Sequence, residues 1–180
     1  MKHIIKTLLL FTLFFPVNLQ ALEVKLSPEN TQITFDMDTT WHKFSGKANK
    51  FSGFISFENM KNPENVKGVV TINVADMTTM EEDRDEKMHK TSLLVDTFPT
   101  IKYRMIGYEK GKLKGELTIL KTTKPVDLVV ERKKVDDKTV YLGKTTIKWK
   151  DFGVVDPSIW VAKVYEDVII SVEVDISDAQ

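Results

Sequence analysis

The chain has 180 residues, 42% of them hydrophobic and 29% charged, which suits one domain with its own core. Its 26 basic residues are matched by 26 acidic ones, so no net field draws it to nucleic acid or to an anionic membrane. Cysteine is absent, which excludes disulfides, thiolate metal sites, cysteine nucleophiles and CxxC redox chemistry together.

Residues 1–21 have the layout of a secretory signal peptide. Lys2, His3 and Lys6 form a positive start, Leu8 to Phe15 an apolar stretch, and Pro16 to Ala21 a turn-prone cleavage region. A membrane helix needs ~20 apolar residues, and Pro16, Asn18 and Gln20 interrupt this run. No stable membrane anchor is therefore expected. Cleavage after Ala21 would leave residues 22–180 as a single exported domain. Its formal charge would be −2, because Lys2 and Lys6 leave with the signal.

From Thr31 onward apolar and polar residues alternate with period two, the pattern of antiparallel sheet with one buried face. Eight strands are predicted. Ile33, Phe35 and Met37 share one face of the first, and Phe51, Gly53, Ile55 and Phe57 one face of the second. The third has Val66, Gly68, Val70, Ile72 and Val74, and the fourth Ile101, Tyr103 and Met105. Glu109-Lys110-Gly111 turns the chain into the fifth, with Leu113, Gly115, Leu117 and Ile119. Val126, Leu128 and Val130 mark the sixth, and Tyr141, Gly143, Thr145, Ile147 and Trp149 the seventh. Val168, Ile170, Val172, Val174 and Ile176 mark the last.

One segment breaks this rhythm. Residues 79–94 are polar, and Thr78 with Glu81 or Thr79 with Glu82 fits a capping box, so a helix is predicted there. Asp83 with Lys87 and Glu86 with Lys90 are acid-before-base pairs four apart, which suits an exposed helix. Met80, Arg84 and Met88 line its other face, and Pro99 closes the excursion.

Eight antiparallel strands in about 150 residues suit a two-sheet sandwich or an up-and-down barrel. Short connections and the removal of exposed edges favour the barrel, whose interior holds packed side chains or one small ligand. By parity Gly53, Gly68, Gly107, Gly115 and Gly143 all point inward. They either leave the interior roomy or permit bends and bulges. No charged residue occupies an inward mid-strand position on strands two to eight, so a hydrophilic ligand would find no convergent polar groups there.

Taken in order, five segments carry a resemblance. They are Phe51-Ser52-Gly53-Phe54-Ile55-Ser56-Phe57, Arg84-Asp85-Glu86-Lys87-Met88, Phe98-Pro99-Thr100-Ile101-Lys102-Tyr103, Gly115 to Ile119 with Thr123 to Leu128, and Asp151-Phe152-Gly153. Together they resemble the YceI-like family of bacterial periplasmic proteins over residues 29–176. The resemblance implies an all-β, eight-stranded, lipocalin-like antiparallel barrel with one helix over it, located in the periplasm. It also implies an apolar tunnel that accommodates a polyisoprenoid chain, to be transported, stored or sequestered. The partner expected is an isoprenoid or similar long-chain amphiphile such as a quinone, with a homodimer as an open alternative and no nucleic acid.

On that basis the expected tunnel lining is Phe35, Phe51, Ile55, Phe57, Ile72, Met88, Ile101 and Tyr103, continued by Leu117, Ile119, Leu128, Ile147, Trp149 and Ile170. Arg84 is the expected contact for a polar head group. Its other reading, with Asp85, is a device that ties the helix to the barrel. Many relatives have an arginine just before the Lys/Arg-Asp-Phe-Gly turn, whereas this chain has Trp149. A phosphorylated head therefore loses a contact, and a quinone or an uncharged chain fits equally well.

No G-x-S-x-G elbow, phosphate loop or zinc pattern is present. His42 and His89 lie far apart in sequence, so surface or hydrogen-bonding roles are expected rather than a metal or acid/base pair. No enzyme, metal site or cofactor is expected. Two alternatives stand beside lipid binding: a filled barrel acting through its surface, and an enzyme using Arg84, Asp85 and His89 on a bound ligand.

Overall fold

The alternating runs form one continuous antiparallel sheet. In a computed structural model, described over residues 22–58, 63–135 and 138–177, twelve strands curl around an apolar interior. They are β1 (Leu22–Leu26), β2 (Thr31–Thr39), β3 (Lys43–Ala48), β4 (Phe51–Phe57), β5 (Lys67–Asn73) and β6 (Met77–Thr78). After the helix α1 (Glu82–Lys87) come β7 (Thr100–Glu109), β8 (Lys112–Ile119), β9 (Thr122–Pro125), β10 (Leu128–Val135), β11 (Lys138–Lys148) and β12 (Val164–Asp175). The expected signal peptide lies outside the described residues.

The hydrogen-bonded order is β1-β4-β5-β7-β8-β10-β11-β12-β2-β3-β6, with β9 also on β8. The all-β, lipocalin-like expectation holds, but the strand count of eight and the closed up-and-down ladder do not. The predicted first and second strands, β2 and β4, do not pair with each other. β3 lies along β2 and β1 along β4 instead, so the sheet ends at β1 and β6 as a curled half-barrel. Side chains bridge the seam, since Val24 and Leu26 of β1 share a packed cluster with Ile33 of β2 and Ala48 of β3.

Three of the additional strands are short: β1 alternates but precedes the first predicted strand, β6 has two residues, and period two barely marks β3. β3 shows only Phe44, Gly46 and Ala48 inward, and its two small residues hide the apolar face. The fourth arises because the predicted sixth strand is split. Pro125 ends β9, having no amide hydrogen to continue the ladder, and β10 begins at Leu128. Both halves pair with β8.

The helix is shorter than the predicted 79–94. α1 covers six residues and runs into a wider helical turn at Met88–Ser92. Met80 (φ 61°) and Leu94 (φ 49°) bracket the segment with left-handed backbone, which stops helix at either end. The predicted capping boxes do not form, because Glu81 stands at the N-cap without a side-chain bond. Asp85 acts instead. Its carboxylate accepts the Thr79 amide (2.7 Å), the Thr79 hydroxyl (2.6 Å) and the Thr78 hydroxyl (2.6 Å), tying α1 to β6. The Glu86–Lys90 pair forms at 2.8 Å, whereas Lys87 turns to the Ser158 carbonyl at 3.1 Å.

Candidate functional site

The inward faces of the strands enclose a cavity of about 670 Å³, inside the ~300–1,000 Å³ range of small-molecule sites. Two packed clusters bound it. One lies towards the helix and includes Leu93, Ile101, Trp149 and Phe152, and the other includes Val24, Phe51, Met105 and Ile176. Ile72, Met77 and Tyr103 pack against both.

Of the residues expected to line a tunnel, Phe35, Ile55, Phe57, Ile72, Ile101 and Tyr103 face this cavity, as do Leu117, Ile119, Leu128, Ile147, Trp149, Ile170 and Met88. Phe51 differs. It opens β4 and is 8% exposed inside the packed end cluster, so it supports the wall from the end and does not line it. No strand contributes a charged residue to the lining. The charged groups, Glu81, Asp83, Arg84 and Lys87, all come from the helical segment, and His42 comes from the β2–β3 turn. The cavity thus has a hydrocarbon-like body and a polar rim.

Arg84 sits on that rim with two partners already. Its guanidinium lies 4.3 Å from the centre of the Phe44 ring and 3.8 Å from the Glu81 carboxylate, with the side chain 30% exposed. The stacking fixes the flat face and leaves N–H groups at the edge, the geometry in which arginine receives a phosphate or carboxylate. Asp85 turns away into its threonine cradle. Burial pushes its carboxyl up, but hydrogen bonds from Thr78 and Thr79, aided by His89, outweigh this and hold it below the usual carboxylate value. The His89 Nε2 hydrogen is donated to the Met77 carbonyl at 2.9 Å. Asp85 and His89 therefore both bond from the helical segment to the β6 region. Among the described residues no group of acidic and histidine side chains could hold a metal ion.

Three of the five inward glycines do not open the space that parity suggested. A Cβ at Gly115 would meet the Tyr103 ring at 2.3 Å, so an aromatic side chain already fills the gap. At Gly53 and Gly68 a Cβ would strike the backbone carbonyls of Val69 (2.1 Å) and Phe54 (2.3 Å). There glycine permits close backbone approach in a bent sheet. Gly46 on β3, which the parity argument missed, lies under the Phe35 ring.

Trp149, where the resemblance leads one to expect an arginine, is buried in the cavity wall. Its ring is 5% exposed, and its indole N–H donates to the Tyr165 carbonyl at 2.9 Å. Phe152 of the following motif is 2% exposed, and Gly153 supplies the left-handed φ of 76° that ends the turn. Phe152 thus anchors this turn in the packed cluster beside the helix. The lining also takes in residues left out of the expected set: strand residues such as Ile33, Met37, Val70 and Met105, and Trp41, Phe44 and Ile159, which lie on or beside loops where periodicity gives no signal.

A curled antiparallel barrel around one large apolar cavity defines a lipocalin-like container. The match to the YceI-like domain covers residues 25–176, and the chain belongs to that family. A UPF0312 protein of Shewanella oneidensis MR-1 is 26% identical over 170 residues, covering 85% of this chain and 87% of the relative. Burkholderia cenocepacia BcnA superposes with a TM-score of 0.72 at 17% identity, over 81% of this chain and 95% of that one. A polyisoprenoid binding domain from Saccharophagus degradans, implicated in plant cell wall breakdown, superposes with a TM-score of 0.65 at 9% identity, over 87% and 98%. At these identities the two structures share the fold.

Proposed function

We propose that the protein binds the hydrocarbon chain of an isoprenoid lipid or similar amphiphile in the barrel cavity, and carries, stores or sequesters it in the periplasm. The observation that carries this reading is the cavity's composition: strands that contribute no charge, closed by a rim that holds all the charged lining groups. Removing hydrocarbon from water is favourable by ~25 cal/mol per Å², whereas a polar solute would find few partners inside. The printed description of the Saccharophagus domain agrees with such a ligand. Residues 22–180 act as one exported binding domain after loss of residues 1–21, without catalysis.

The tunnel-lining side chains hold the chain, and the free edge of Arg84 meets a polar head. Since Trp149 removes one cation, a weakly charged head such as a quinone suits the site as well as a phosphate does. Energy transfer from Trp149 to a fluorescent polyprenyl probe tests the reading. The expected result is saturable, one-to-one transfer. Unsaturable or absent transfer with lipid-free protein would count against it.

A further inference from the structure

The apolar lining does not stop at the barrel rim. Trp41 and Ile159 belong to the cavity wall, yet they are 65% and 53% exposed. Beside them Trp160 is fully exposed and Val161 half exposed, at the tip of a turn closed by backbone bonds between Ile159 and Ala162 (2.9 and 3.1 Å). The Thr40 amide donates to the Lys163 carbonyl at 3.0 Å, and the Lys163 amide to the Thr40 hydroxyl at 3.1 Å. The Trp41 turn and the Trp160 turn are thereby one unit, and Lys87 anchors it to α1 through the Ser158 carbonyl.

Large apolar side chains held out in water at one place mark an interaction surface. This one has a consistent charge. Residues 39–43 and 157–165 carry Lys43 and Lys163 and no carboxylate. The flanking Asp38 and Asp156 accept the amides of Thr39 and Ser158, both at 2.9 Å, inside their own turns. Glu81 and Asp83 start α1, ~6–9 Å along the helix from Lys87, so the acidic part of the rim lies on the helix side. Indole rings settle at the boundary between headgroups and hydrocarbon, and lysines beside them reach lipid phosphates.

We propose that this aromatic rim docks the cavity mouth on a bilayer surface, so that a hydrocarbon chain passes between membrane and cavity without crossing water. The idea rests on the lipid-binding reading above and adds where loading occurs. Contact is by side chains at the interface, since no helix among the described residues is long and apolar enough to cross a membrane. A second copy of the chain is disfavoured as the occupant, because a two-fold interface would repeat Lys43 and Lys163 on both sides of one contact.

The test uses vesicles of phosphatidylethanolamine with about a quarter phosphatidylglycerol. The signal-free protein should sediment with them, and Trp160→Ala with Val161→Ala, neither of which lines the cavity, should weaken partition about tenfold. Lys43→Glu with Lys163→Glu should remove the preference for anionic lipid. In all variants uptake of a polyprenyl probe dispersed from ethanol should be unchanged, while uptake from vesicles slows. Equal sedimentation of parent and the Trp160→Ala, Val161→Ala variant, no sedimentation, or loss of a dimer in ultracentrifugation without loss of vesicle binding would overturn the proposal. Failure of uptake by both routes despite vesicle binding would instead defeat the lipid-binding reading.

Discussion

The ring of Tyr103 lies across Gly115 on the neighbouring strand, with its Cζ 2.3 Å from where a glycine Cβ would stand. Its hydroxyl donates to the Val126 carbonyl at 2.9 Å, in the break between β9 and β10. One aromatic side chain thus fills the space that glycine leaves and pins the split strand. Gly115→Val should displace the ring and destabilise the protein by ~1–3 kcal/mol. The same change in a Tyr103→Ala background should cost much less, and a denaturant-melt double-mutant cycle reads the coupling. Additive effects would show that ring and glycine do not depend on each other.

Burial, with the charge of Asp127 adding to it, pushes the Tyr103 hydroxyl well above its ordinary value of 10.0. The unfolded chain ionises first, so this contribution to stability is complete below about pH 10 and falls as pH rises beyond it. Tyr103→Phe should cost ~0.5–1.5 kcal/mol at neutral pH and flatten the alkaline loss. Parallel pH profiles for parent and variant, by thermal melts between neutral pH and pH 11, would contradict this.

The long alternating strands were legible because each has one wet face and one buried face. Leu117 and Ile119, or Ile147 and Ile170, needed nothing beyond parity to be placed inward. What parity missed has local causes. β3 is held by Phe35 covering Gly46, a contact across strands that no single-strand pattern contains. Gly53 and Gly115 look alike in sequence, yet one accommodates a backbone carbonyl and the other a phenol ring. The helix start resembled a capping box from Thr78 and Thr79, and the same threonines instead donate to Asp85 one turn later.

That threonine cradle sets an acid limit. Since Asp85 is held below its ordinary value of 3.8, its contribution is full above that value and is lost as pH falls through the lower folded value. Asp85→Asn should cost ~1–3 kcal/mol and loosen the 79–94 segment. Amide exchange at Thr79 and along α1 measures it. Unchanged protection there would mean that the carboxylate does not hold the helix.

Thr145 and Val172 line the cavity from β11 and β12, and Val172 also packs against the end cluster. Thr145→Phe with Val172→Phe should take up cavity space at a cost of ~1–3 kcal/mol, since Val172 is already packed on one side. Binding of a polyprenyl probe should fall at least about tenfold. Retained affinity in a variant that still melts cooperatively would place the ligand elsewhere.

The most direct measurement is native mass spectrometry of the protein isolated from periplasm under mild conditions. The account predicts a hydrophobic adduct at one per chain, released by organic solvent and diminished in the Thr145→Phe, Val172→Phe variant. Protein that is consistently free of adduct, and that also fails to take up a quinone or polyprenyl lipid after delipidation, would contradict it.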